Sequence, residues 1–246
     1  MLGVSMKKLL VAGIATAGLV SASAFAADMP QPAPVYKAAP APVFSWTGFY
    51  LGGDVGGVWA KDRITDVNGL NGAKTYSMDP SGVIGGGILG YNVQAGQFVY
   101  GLEVDLGGMG LGKKIIEPGS SGVTSNHLDS GFYGDVTGRL GLAFDRSLVY
   151  AKGGWAFFDG RANVNNTLGG FGGGIASTRP FTGGWTIGGG WEYAFSPAWS
   201  AKIEYLHFDF GSKTATLVTP INGTFLFPNK LTADAVTVGL SYHFGH

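Results

Sequence analysis

Residues 185–195 read WTIGGGWEYAF. Trp185, Ile187, Gly189, Trp191, Tyr193 and Phe195 fall on one parity, and Thr186, Gly188, Gly190, Glu192 and Ala194 on the other. A period of two belongs to a β-strand with two unlike faces. One face is apolar, with aromatics at both ends. The other is built of small residues around a single carboxylate. The fold turns on which solvent each face meets.

Similar segments recur at 47–60, 81–93, 97–108, 131–144, 147–160, 182–195, 198–211 and 233–244. Each is close to the ~9–11 residues that a tilted strand needs to cross a bilayer. The connections alternate in length. Gln94-Ala95-Gly96, Asp145-Arg146 and Ser196-Pro197 are tight turns of the usual turn-forming types. Between them lie polar or Gly-rich stretches near 61–80, 109–130, 161–181 and 212–232, which read as long loops. Short turns at one end and long loops at the other mark an outer-membrane barrel. With both termini on the short-turn side the strand number is even. The expected fold is all-β: an eight-stranded antiparallel transmembrane β-barrel over 46–246.

Parity then assigns the faces. Val136, Leu140, Val149, Ile203, Val236, Val238 and Leu240 point to lipid, with Trp155, Trp185, Trp191, Tyr193, Tyr205, Tyr242 and Phe244 as lipid-facing or girdle residues. Asp54, Glu103, Asp105, Asp135, Arg139, Lys152, Glu192, Lys202 and Glu204 point into the lumen as a charge network. The competing reading is a soluble barrel with the greasy parity inside. It would leave Gly, Thr and Ala to face water, whereas soluble surfaces carry long polar side chains. Composition argues the same way: charged residues are 13% of the chain, against a typical ~25%. An interior only as wide as its side chains, expected of about eight strands, also accounts for many of the 44 glycines.

The first residues read as an export signal. Lys7 and Lys8 precede an apolar run from Leu9 to Val20, and Ala24-Phe25-Ala26 fits signal-peptidase cleavage. Segment 1–26 is therefore expected to be a Sec signal peptide cut after Ala26, its apolar run falling short of a membrane anchor. Segment 27–45, with Pro30, Pro32, Pro34, Pro40 and Pro42, reads as an extended periplasmic spacer. Acidic and basic side chains number 16 each, so the chain lacks the basic footprint of a nucleic-acid binder. With no cysteine there is no disulfide, thiol chemistry or lipoprotein anchor.

The stretch FSWTGFYLGGDVGGVWA (44–60) resembles the first strand of the alphaproteobacterial opacity-type outer-membrane β-barrel family, which includes outer-membrane immunogenic and hemin-binding proteins. AKIEYLHFDFG (201–211) is similar to that family's penultimate strand, with Glu204, Tyr205, Leu206 and Asp209 matching and His207 where an aromatic is usual. TVGLSYHF (237–244) resembles its closing strand, although Gly245 and His246 follow Phe244. The resemblance implies a protein of the Gram-negative cell envelope, inserted by the barrel-assembly machinery through its C-terminal strand and surrounded by outer-membrane lipid. It implies no active site.

The lumen charges admit two readings, a plug of paired groups or a narrow pore for small hydrophilic solutes. A lone charge in a narrow interior is costly, and a hydrogen-bonded network is tolerable. His127, His207, His243 and His246 are expected far apart, so neither haem nor metal is implied. Ser241 and His243 share a strand face but lack a third partner, and no enzyme or cofactor is expected. GGFGGG (169–174) lacks the Lys-Ser/Thr of a phosphate loop. The expected role is structural or surface-interactive. The alternatives are a narrow porin, and an adhesin or hemin-binding protein acting through 109–130 and 161–181.

Overall fold

The computed structural model describes residues 44–68, 74–118, 124–166, 174–219 and 223–244. The expected signal peptide, residues 27–43 of the Pro-rich segment, all but the last glycine of GGFGGG, and Gly245-His246 lie outside the described residues.

Eight long strands form the barrel: β1 (Gly48–Asp66), β3 (Ser81–Ala95), β4 (Phe98–Met109), β7 (Gly131–Phe144), β8 (Ser147–Phe158), β11 (Phe181–Ala194), β12 (Trp199–Thr219) and β13 (Gly223–His243). Five short ones lie between them: β2 (Lys74–Met78), β5 (Lys113–Ile116), β6 (Thr124–Leu128), β9 (Ala162–Asn166) and β10 (Gly174–Ser177). The long strands pair antiparallel in the order β1-β3-β4-β7-β8-β11-β12-β13, and β13 returns to β1 from Tyr50↔His243 to Ile64↔Asn229. Closure leaves no unpaired backbone edge in lipid, which a membrane-spanning sheet requires.

The short turns are as tight as their sequences suggest. Gly96 has φ 63° between paired Ala95 and Phe98, and Asp145 has φ 54° between paired Phe144 and Ser147. Positive φ in two-residue loops suits the twist of the flanking strands. In the third turn, Ser196 Oγ accepts a hydrogen bond from Trp199 N at 3.0 Å.

The parities separate as pattern alone requires. Ile187 is 56% exposed and Val136 48%, while Thr137 and Thr186 are buried. On β1, exposed Phe49 and Trp59 bracket exposed Leu51 and Val55. Ten residues rise about 33 Å along the strand, hence about 25 Å along the axis at the usual tilt, the height of an outer-membrane apolar band.

Among the described residues, the four stretches read as long loops prove to be largely strand. β1 runs on to Asp66, β12 and β13 each have 21 residues, and β2 pairs with the upper part of β1 from Asp62↔Met78 to Asp66↔Lys74. β5, β6, β9 and β10 form a separate sheet in the order β10-β9-β6-β5. Segments such as KTYSM and ANVNN are too short to reveal a period. They become strands only because other strands supply their hydrogen-bond partners. Between Asp209 and Ser212 the β12–β13 register shifts at a bulge, where Gly211 has φ 70° and donates its N–H to Asp209 Oδ1 at 2.8 Å.

Candidate functional site

The barrel interior is filled in tiers. Lowest is an aromatic stopper. Phe44 and Trp46 are buried, their rings 5.0 Å apart, and the Trp46 ring lies 5.6 Å from that of His243. Trp46 N–H donates to Gln94 Oε1 at 2.8 Å. The stopper thus includes Phe44, inside the segment read as spacer, because an apolar mouth offers these rings a place to bury.

Above it lies the charge network. All nine lumen residues inferred from parity are inside, none more than 9% exposed. Three Glu and three cations interlock. Lys152 Nζ lies 2.6 Å from Glu103 and 2.8 Å from Glu204; Lys202 Nζ lies 3.4 Å and 3.5 Å from the same two carboxylates. Arg139 bonds Glu192, lies 3.9 Å from Glu103, and stacks its guanidinium 3.6 Å from the Tyr150 ring centroid. The phenols cap this set: Tyr50 donates to Glu103 at 2.8 Å, and Tyr150 to Glu204 at 2.6 Å. Both rings lie over glycines. A Cβ on Gly90 would stand 2.2 Å from the Tyr50 ring, and one on Gly190 2.7 Å from the Tyr150 oxygen. Here the narrow interior makes glycine necessary.

Asp54, Asp105 and Asp135 form the next tier and make no salt bridge among the described residues. Asp54 Oδ1 accepts the Gly86 N–H at 3.2 Å. Asp105 and Asp135 are direct cross-strand partners on the inner face. Above them the interior turns apolar, with Val58, Ile84, Tyr133, Phe158, Phe181, Leu206, Phe208 and Phe210 in one buried cluster. The sequence reading missed this cap, although Leu206, Phe208 and Phe210 continue the inward parity of Lys202 and Glu204. Tyr50, Tyr150 and Ser200 were missed as well. Parity would have placed them inside, but no charge drew notice to them.

The seven girdle residues, Trp155, Trp185, Trp191, Tyr193, Tyr205, Tyr242 and Phe244, lie outside at 38–49% exposure. The described histidines occupy separate places. His127 is on β6, with Nε2 3.1 Å from Asp129; His207 is on the outer wall, with Nδ1 2.8 Å from Asp234; His243 is buried near the stopper. Among the described residues no three His, Cys, Asp or Glu side chains are arranged to hold a metal. Ser200 Oγ lies 2.8 Å from His243 Nε2 and donates to Glu192 Oε1 at 2.5 Å.

The stretches 109–130 and 161–181 meet in the second sheet. Lys114, His127, Asn163 and Ser177 are successive cross-strand partners, as are Ile116, Ser125, Asn165 and Ile175. This face is exposed, with Ile116 at 60% and Ile175 at 72%, and holds a shallow depression of about 330 Å³. Ties join the second sheet to β2 and the residue after it: Asn126 Nδ2 donates to the Tyr76 hydroxyl at 2.9 Å, and Lys113 Nζ to the Asp79 carbonyl at 2.7 Å.

Comparison with known proteins agrees with this architecture. The chain is 33% identical over 249 residues to the 31 kDa outer-membrane immunogenic protein of Brucella melitensis, covering 97% of this chain and all of that one. It is 30% identical over 229 residues to the 25 kDa outer-membrane immunogenic protein of Brucella abortus, covering 91% and 92%. Among solved structures it aligns with Neisserial surface protein A at 12% identity and a TM-score of 0.40, over 80% of this chain and 98% of that one. The family model for the outer membrane protein β-barrel domain matches residues 12–244. The chain therefore belongs to the outer membrane protein β-barrel family and is a protein of the bacterial outer membrane.

Proposed function

We propose that this barrel is closed to solutes, carries out no catalysis, and holds the β5-β6-β9-β10 face at the cell surface for contact with external molecules. The filled interior is the observation that carries the reading. A stopper, a paired charge network and an apolar cap follow one another along the axis. A water-filled pore needs a continuous polar path, and the cap interrupts it with phenylalanines. The relatives' description as immunogenic fits surface exposure. The adhesin reading is favoured over the porin because 109–130 and 161–181 join into one exposed sheet. A hemin-binding role lacks support from a convergent histidine pair.

The Ser200–His243–Glu192 group has the residue types of a hydrolase. However, serine and carboxylate approach the same ring nitrogen, whereas a triad sets the imidazole between its partners. All three are also buried. We read the group as a structural lock beneath Arg139. The deciding test is single-channel recording of chain 27–246 refolded in planar bilayers, after its faster migration unboiled than boiled has been verified. A silent membrane is expected. Discrete steps whose ion preference shifts in Glu103→Gln or Glu192→Gln would establish a pore instead.

A further inference from the structure

The outer wall carries an ordered set of rows where β1, β12 and β13 leave the apolar band. Trp59, Asp234 and His207 lie in register across β1, β13 and β12, and the adjoining row runs from Lys61 through Thr232, Asp209 and Trp185 to Trp155. Tyr205 and His207 both hydrogen-bond Asp234 Oδ1, at 2.6 and 2.8 Å, and the Trp185 and His207 rings are 5.6 Å apart. Aromatic and polar groups mixed in one belt mark the boundary of the lipid. Two residues further along the strand, roughly 7 Å away, comes Lys61, and two beyond that Arg63. Arg63 is the direct cross-strand partner of Lys230 on the same exposed face, and the row continues to Ser77 on one side and Ser212 on the other.

Like charges directly opposite destabilise a sheet. The protein offsets this one only in part. Lys230 Nζ lies 3.3 Å from Asp209, while Lys61 and Arg63 have no salt bridge among the described residues. Three cations against one carboxylate leave an excess of positive charge in the layer that the headgroups of the outer leaflet occupy. An anion between Arg63 and Lys230 would turn a repulsive pair into an attractive one. Guanidinium and ammonium groups together, with serine hydroxyls at the flanks, suit a phosphate, which takes several donors at once.

We propose that Lys61, Arg63 and Lys230 form a binding site for the phosphorylated headgroup of an outer-leaflet glycolipid, with its acyl chains lying along the wall below Trp59. The site is independent of whether the lumen conducts. Its position fixes the ligand as a membrane lipid rather than a free anion, because the cations stand directly above the lipid boundary.

The test uses full-length mature barrel in phosphatidylcholine nanodiscs doped with bisphosphorylated lipid A or with its dephosphorylated form. Lipid retained on the protein is read by native mass spectrometry. Retention of the bisphosphorylated form should be the greater, and each of Lys61→Gln, Arg63→Gln and Lys230→Gln should lower it by about fivefold. Retention of the dephosphorylated form should not change. Asp209→Asn, which keeps an oxygen to accept from Gly211, should raise retention and so gives a gain-of-binding readout independent of any folding defect. Equal retention of both lipids, indifference to all four substitutions, or displacement of the lipid by millimolar inorganic phosphate would overturn the proposal.

Discussion

Ile187 and Asp105 show how strongly a side chain's worth depends on its face. Ile187 sits near mid-strand on the outer wall, 56% exposed to what is lipid in the cell. Ile187→Arg should cost roughly 2–4 kcal/mol of folding free energy in bilayers, the range for a cation at mid-membrane on a barrel exterior. A urea titration in vesicles matching wild type would mean that the faces are reversed. On the inner wall, Asp105 opposes Asp135 without a cation bridging either. Asp105→Asn removes the repulsion and should stabilise the barrel by up to about 1 kcal/mol, seen as a higher urea midpoint. A lower midpoint would show that both carboxylates serve the fold. The Glu–Lys–Arg set below differs in kind. Its charges are matched three to three, so removing one strands another in a buried place, which is strongly destabilising.

Strand pairing rests on glycines at close contacts, among them one at the β1–β13 seam that closes the barrel. A Cβ on Gly56 would lie 1.9 Å from the Val236 carbonyl oxygen, whereas one on Gly87 would meet nothing within 4 Å. Gly56→Ala should therefore cost about 1–3 kcal/mol through forced displacement of backbone and reduce the fast-migrating band of unboiled refolded protein. Gly87→Ala should leave that band unchanged. Equal bands for the two variants would show that the seam relaxes easily. The comparison separates glycine used for contact from glycine used for nothing more than a small wall.

Above the lipid boundary, the extended strands make the crown's stability depend on pH. Asp62 stands inward between outward Lys61 and Arg63, fully buried, and neither carboxylate oxygen has a hydrogen-bond partner among the described residues. Burial pushes its carboxyl up to about 7. The folded crown thus binds a proton that the unfolded chain, titrating near ~4, releases earlier. The resulting stabilisation is complete below about pH 4 and is lost as pH rises through about 7. Protease resistance of the crown should accordingly be greater at pH 5 than at pH 8, and Asp62→Asn should abolish the difference. An unchanged pH profile in that variant would place the titrating group elsewhere.

Period-two alternation, turn chemistry and the shortage of charge were enough to specify a membrane barrel, its eight strands and the facing of Glu103, Lys152, Trp191 and Ile187. These are local properties: a strand's two faces are written in successive residues, and the solvent on each selects what they carry. How far the strands run was not written locally. KTYSM, TSNHL and ANVNN carry no clear period, and they order only against partner strands: KTYSM against Asp62–Asp66, and TSNHL and ANVNN against each other across the intervening β7 and β8. The pairing of Arg139 with Glu192, the burial of Trp46 against His243 and the facing of Asp105 on Asp135 likewise depend on barrel register. So does the meeting of Arg63 with Lys230 on the outer wall. Sequence parity assigns a residue to the inside or the outside; only closure of the sheet decides which residue it faces there.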